Sequence, residues 1–159
     1  MNTKDILLYE TGSGGDFAVL NNDLMLSETL YQQIYLALFG GNVEADTKSL
    51  YLESEDRFDY WGNSLVWKDS KGKQFNSKTE RILQEVVLNS SGRLKIVNAV
   101  NSDLEYMSDV AEFTVDVGIL SSNKVSITVS FKEKKNQQNK KLQLIFDNAR
   151  NEVIIDIKI

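Results

Sequence analysis

Four carboxylates, Glu53, Glu55, Asp56 and Asp59, fall within one short stretch of the chain. Two carboxylates held about 5 to 9 Å apart can cleave a glycosidic bond, one as acid and the other as nucleophile or base. That chemistry also needs two unlike environments, which spacing alone does not supply; a solvated acidic loop has the same spacing. The run fails as a calcium loop. Counting from Glu53, Phe58 stands where the tight turn needs Gly, and Ser64 stands where the bidentate Glu belongs. Gly12-Ser13-Gly14-Gly15 has the glycines of a phosphate cradle, but leads into strand-like Asp16-Phe17-Ala18-Val19 without the lysine and helix that a P-loop requires. It is expected to be a turn. Lys132, Lys134, Lys135, Lys140 and Lys141, offset only by Glu133, form the basic cluster. No aromatic residue lies between 132 and 145 to stack a base. The cluster fits an exposed hairpin tip, or a surface that docks on an acidic neighbour.

The most distinctive string is Asp56-Arg57-Phe58-Asp59-Tyr60-Trp61-Gly62-Asn63. Tyr and Trp beside Arg make a rigid amphipathic anchor, the kind of residue that dominates interface energetics. Arg57, Tyr60, Trp61 and Gly62 are therefore the candidate interaction residues. Trp61 could equally plug the edge of its own core, with Arg57 paired to a local carboxylate. Tyr60, Trp61 and Trp67 would also suit a carbohydrate- or ligand-binding module.

Composition narrows the chemistry by subtraction. The 159 residues include no Cys, no His and no Pro. Thiolate metal sites, disulfides, a Ser–His pair and an imidazole switch are all excluded. No catalytic residue, metal site or cofactor is expected. The net charge of −5 is unevenly spread: residues 1–60 hold 11 acidic and 3 basic side chains, and residues 61–159 hold 12 and 15. This asymmetry suits association with other proteins and lacks the basic stripe of a nucleic-acid footprint. The opening residues lack an apolar run of roughly 7–15 residues, and no stretch reaches the ~20 apolar residues of a membrane span. The expectation is a soluble protein that contacts neither membrane nor nucleic acid.

The elements that would position these residues follow from periodicity. Strands are expected at 5–9, 16–20 and 24–26, with Asn21-Asn22-Asp23 supplying a left-handed turn. A helix is expected over 27–39, capped by Ser27 and ended by Gly40-Gly41, with Leu30, Ile34 and Leu38 beside Tyr31, Tyr35 and Phe39 on its buried face. Residues 42–76 carry no sustained period, and an irregular stretch of that length is expected to be functional. Ser77-Lys78-Thr79-Glu80 is a capping box that starts a second helix, with Ile82, Leu83, Val86 and Val87 buried. A third helix, 92–107, would bury Leu94, Val97, Val100 and Leu104. Alternation then predicts strands at 111–119 and 124–132, and two more are expected near 141–147 and 152–158. No internal repeat is evident. The order gives an α+β fold: an N-terminal β-hairpin region and three helices packed on a C-terminal antiparallel β-meander, in a single domain 1–159 with 132–159 as a C-terminal extension.

At the Trp-Gly string the sequence resembles the Mu-type phage baseplate protein family, related to the small inner baseplate wedge proteins of contractile tails. Gly15-Asp16-Phe17 and Asn22-Asp23-Leu24 match its opening strand and turn. Leu38-Phe39 matches the end of its first helix, and Asp56-Arg57 through Asn63 its Asp-Arg-x-x-aromatic-Trp-Gly-Asp motif. The resemblance covers roughly residues 5–131. Asn63 replaces the usual Asp and Tyr60 a frequent Trp. The resemblance implies a non-enzymatic structural subunit of the virion tail baseplate, made in the host bacterial cytoplasm, whose partners are baseplate wedge proteins and tail sheath subunits. The residues themselves leave a peptidoglycan hydrolase using loop 53–59, or a binding module, as alternatives. Assembly would use exposed strand edges, with 124–132 and 153–158 as the candidates.

Overall fold

A computed structural model describes residues 4–10, 15–41, 76–135 and 137–158. The fold is α+β; the described residues form N-terminal hairpins, three α-helices and a C-terminal four-stranded meander. It divides into two compact units, Met1–Arg81 and Ile82–Ile159.

The first unit opens with three short extended segments, each broken once. The first comprises β1 (Lys4–Ile6) and β2 (Leu8–Glu10), the second β3 (Gly15–Phe17) and β4 (Val19–Leu20), and the third β5 (Asp23–Leu24) and β6 (Leu26–Glu28). Asn21 and Asn22 turn β4 into β5 with φ of 53° and 61°, the two successive positive values of a tight type I′ hairpin. Helix α1 (Thr29–Phe39) follows. It buries both expected stripes, Leu30, Ile34, Leu38 and Tyr31, Tyr35, Phe39, together with Gln32 and Ala37. Among its described side chains only Gln33 is exposed, so the helix is enclosed rather than one-sided. Ser27 does not cap it. The β1–β6 ladder claims that residue, with Ser27 opposite Asp5, and the N-cap position falls to Glu28 without a side-chain cap. The helix ends at Gly40-Gly41, where φ of 102° at Gly41 suits glycine.

Ser77 does begin the second helix, α2 (Lys78–Glu85). Its hydroxyl accepts the Glu80 amide at 3.1 Å and donates to the Leu38 carbonyl near the end of α1. The reciprocal half of the capping box is replaced: the Ser77 amide goes to the Gly41 carbonyl at 2.8 Å. One serine thus satisfies orphan groups of two helix ends. Leu83 is fully buried. Val87 is exposed, contrary to expectation, because the helix has ended at Glu85.

In the second unit, α3 (Ser90–Leu104) starts two residues earlier than expected. Asn89 caps it by accepting the Gly92 amide at 2.9 Å. Its buried stripe is Gly92, Ile96, Ala99, Val100, Asp103 and Leu104. Leu94 lies off that stripe and is exposed. A 3₁₀ turn, Glu105–Met107, completes the helix. The helix packs on β7 (Ala111–Ile119). The meander continues through β8 (Lys124–Glu133), β9 (Asn139–Asp147) and β10 (Glu152–Lys158), in the order β10-β9-β8-β7. Residues 132–158 therefore continue the sheet, and β8 is a central strand with no free edge. Alternation holds: Val125, Ile127, Val129 and Phe131 are buried, as are Leu142, Leu144 and Phe146 opposite them. Each large side chain contributes roughly 1.5–3 kcal/mol by its burial. At one end of this apolar face Lys140 pairs with Glu133, Nζ to Oε1 at 2.9 Å, with side-chain exposures of only 11% and 22%. The buried Asp147 carboxylate organises the opposite end, accepting the Ala149 amide at 3.0 Å.

Candidate interaction surface

The residues singled out by sequence distribute as follows. Arg57, Tyr60, Trp61 and Gly62 lie outside the described residues, as do Glu53, Glu55, Asp56, Asp59 and Trp67. Of the basic cluster, Lys134 and Lys135 are exposed and Lys132 and Lys141 half-buried. Lys140 lies opposite Phe131 on the apolar face and pairs there with Glu133, which reduces the cationic tip expected from the sequence. Among the described residues no group of three acidic side chains is placed to hold a metal ion. Desolvation and then the neighbouring Asp103 carboxylate push the Tyr106 phenol up to about 12, although 60% of the residue's surface is exposed. It is neutral at physiological pH.

Sequence reasoning missed a surface in the first unit. The three broken segments meet at Leu7, Ala18 and Met25. The Leu7 amide donates to the Met25 carbonyl at 2.8 Å, the Met25 amide to the Ala18 carbonyl at 2.8 Å, and the Ala18 amide to the Leu7 carbonyl at 3.0 Å. Three donors and three acceptors close a ring, so each residue satisfies its main chain with two partners rather than one. At this ring the strands exchange neighbours. Outward from it, β1 runs beside β6, β2 beside β3, and β4 beside β5. The connectivity is threefold.

The first pair out along each arm is apolar: Ile6 opposite Leu26, Leu8 opposite Phe17, and Val19 opposite Leu24. Each pair follows a hydrogen-bonded position and is therefore a non-hydrogen-bonded pair of its antiparallel ladder, the kind in which facing positions come closest. Period-two alternation puts 6 with 8, 17 with 19, and 24 with 26 on a common side. Linked through the cross-strand pairs, all six positions belong to one face. Phe17, Val19, Leu24 and Leu26 are 44%, 62%, 46% and 57% exposed, and Ile6 is half-buried, while Ala18 at the ring is buried. A contiguous exposed apolar face marks an interaction site far more often than scattered surface leucines do.

The signal for this surface is present in the sequence. Asp5-Ile6-Leu7-Leu8, Asp16-Phe17-Ala18-Val19 and Asp23-Leu24-Met25-Leu26 each place an acid before three apolar residues. Asp5 and Asp23 play the same part, each accepting the amide of the next residue at 2.8 Å. The spacing between copies is unequal, which hides the repeat from a search for a fixed period. No family model, curated protein or solved structure matches the chain.

Proposed function

We propose that this protein is a non-enzymatic structural subunit of a contractile phage tail baseplate or a related injection system, linking the inner baseplate to the sheath. The observation that carries the reading is the apolar face of the N-terminal junction, on which Phe17, Val19, Leu24 and Leu26 are exposed, and which suits a protein whose work is to be held by others. Two of the segments on which the family resemblance rests, Gly15-Asp16-Phe17 and Asn22-Asp23-Leu24, contribute two of its strands, β3 and β5. Arg57, Tyr60, Trp61 and Gly62 would add an aromatic and guanidinium anchor. Strength in such a joint comes from apolar contact, and the acidic N-terminal half favours partners with basic surfaces.

The test is recovery of the tagged protein from a lysate that makes the whole particle, with its partners identified by mass spectrometry. Wedge and sheath proteins are expected in fixed proportion, and Trp61→Ala is expected to lower that recovery. Recovery of the protein alone, from a lysate in which tails demonstrably assemble, overturns the proposal.

A further inference from the structure

The two edges of the C-terminal sheet differ. The Leu120 amide bonds the Lys124 carbonyl at 2.9 Å. Because antiparallel ladders alternate, even-numbered residues of β7 bond β8 and odd-numbered ones face outward. Val117 faces outward, and its carbonyl is taken by Arg93 Nε at 2.5 Å, with Arg93 Nη2 on Asp116 at 3.2 Å. That edge is partly covered by a side chain from α3.

Among the described residues the other edge is unpaired. The Asn148 amide bonds the Asn123 carbonyl at 2.7 Å, so even-numbered residues of β9 bond β8 and odd-numbered ones bond β10. Ile155 pairs with Ile145 and Ile157 with Gln143. The main-chain groups of Asp156 and Lys158 therefore point away from the sheet, and among the described residues no strand pairs with them. The irregularity between Val153 and Ile155 shifts the register by one. Such a shift exchanges the two faces of a strand. It leaves the main chain of Ile155 opposite Ile145 and that of Ile157 opposite Gln143.

We propose that β10 pairs antiparallel with β10 of a second copy of this chain, about a twofold axis at Ile157. Outward-facing residues must meet outward-facing residues, which leaves three nearby axes. An axis at 156 sets Asp156 against its own counterpart, and an axis at 158 does the same for Lys158. Like charges directly opposite each other destabilise a ladder. The axis at 157 sets Asp156 against Lys158 of the second copy, twice, and both pairs can exchange main-chain hydrogen bonds. It places Ile157 opposite its own counterpart at a non-hydrogen-bonded position, with Cα atoms about 4.5 Å apart. The contact is short and gives a concentration-dependent dimer. The proposal rests on the sheet alone and is independent of the baseplate reading.

The chain has no cysteine, so Ile157→Cys introduces a single thiol on the axis. Mild oxidation of the full-length protein is expected to give a disulfide dimer, and Ile155→Cys is expected to give far less. In sedimentation, Asp156→Lys and Lys158→Asp should each weaken self-association about tenfold or more, and the double exchange should restore it to within about threefold. Thermal melts of each variant check folding. Ile157→Cys keeps both charges, so it remains decisive if a charge variant fails to fold. A wild-type protein that is monomeric at all concentrations, an Ile157→Cys variant that forms no disulfide dimer, or a double exchange no better than the single changes overturns the proposal.

Discussion

A methyl group added at Gly92 would lie 2.1 Å from the Val87 carbonyl oxygen and 3.0 Å from Val86 Cγ2. Two effects oppose each other there. Alanine is better than glycine inside a helix by about 1 kcal/mol. Overlap with main-chain oxygen costs about 1–3 kcal/mol, because the backbone rather than a flexible side chain must move. At a 2.1 Å approach the steric cost lies toward the upper end and wins, so Gly92→Ala is expected to lower the urea midpoint by the equivalent of up to about 2 kcal/mol with an unchanged slope. A stabilised variant would show that Val87 and α3 are not in this contact. The same few residues show what is legible locally. Asn21 and Asn22 are turn formers wherever φ is positive, and Ser77 caps because its own hydroxyl reaches Glu80. Gly92 opens the third helix expected from the sequence, whereas the structure starts that helix at Ser90. Its role as the third residue of α3 depends on Asn89 accepting its amide and on the return path of Val86 and Val87, which composition does not encode.

At the scale of elements, alternation carries the C-terminal strands because a half-buried sheet demands period two, and all four expected strands are present. Which strand is central is set by pairing, and pairing left β8 between two neighbours and β10 at an edge. The same registers turn Glu133 and Lys140 onto the apolar face, opposite Ala111 and Phe131. Removing one member of a buried pair leaves a charge without its partner, whereas replacing both with apolar groups is close to neutral. Lys140→Met alone is expected to cost about 1–3 kcal/mol, at the low end because Glu133 keeps 22% of its side-chain surface in water. Glu133→Leu with Lys140→Met should cost less than the sum of the single changes, with a coupling of about 1 kcal/mol or more in a urea double-mutant cycle. Additive losses would place the two charges in solvent.

For the whole molecule, the charge is not shared. Residues 1–81 hold 13 acidic and 8 basic side chains, and residues 82–159 hold 10 of each. The first unit carries the entire net −5 and also the exposed apolar face. Fold class was legible because helices and strands announce themselves by period. The junction was not, because three unequal spacings and a ring of single hydrogen bonds leave no periodic trace. Its consequence is colloidal. At pH 7 like charge opposes contact between apolar faces. As pH falls toward the isoelectric value of about 4.8, protonation of carboxylates removes that repulsion while the face stays exposed. Light scattering from the purified protein should therefore rise as pH approaches 4.8. Val19→Ser with Leu24→Ser should suppress the rise without altering charge, and Val19→Glu with Leu24→Glu should suppress it further. Both pairs should leave the melting transition nearly unchanged, since exposed substitutions usually stay within about 0.5 kcal/mol. If the serine pair scatters like the parent while the glutamate pair does not, charge alone governs association, and the apolar face is not the contact that the baseplate reading requires.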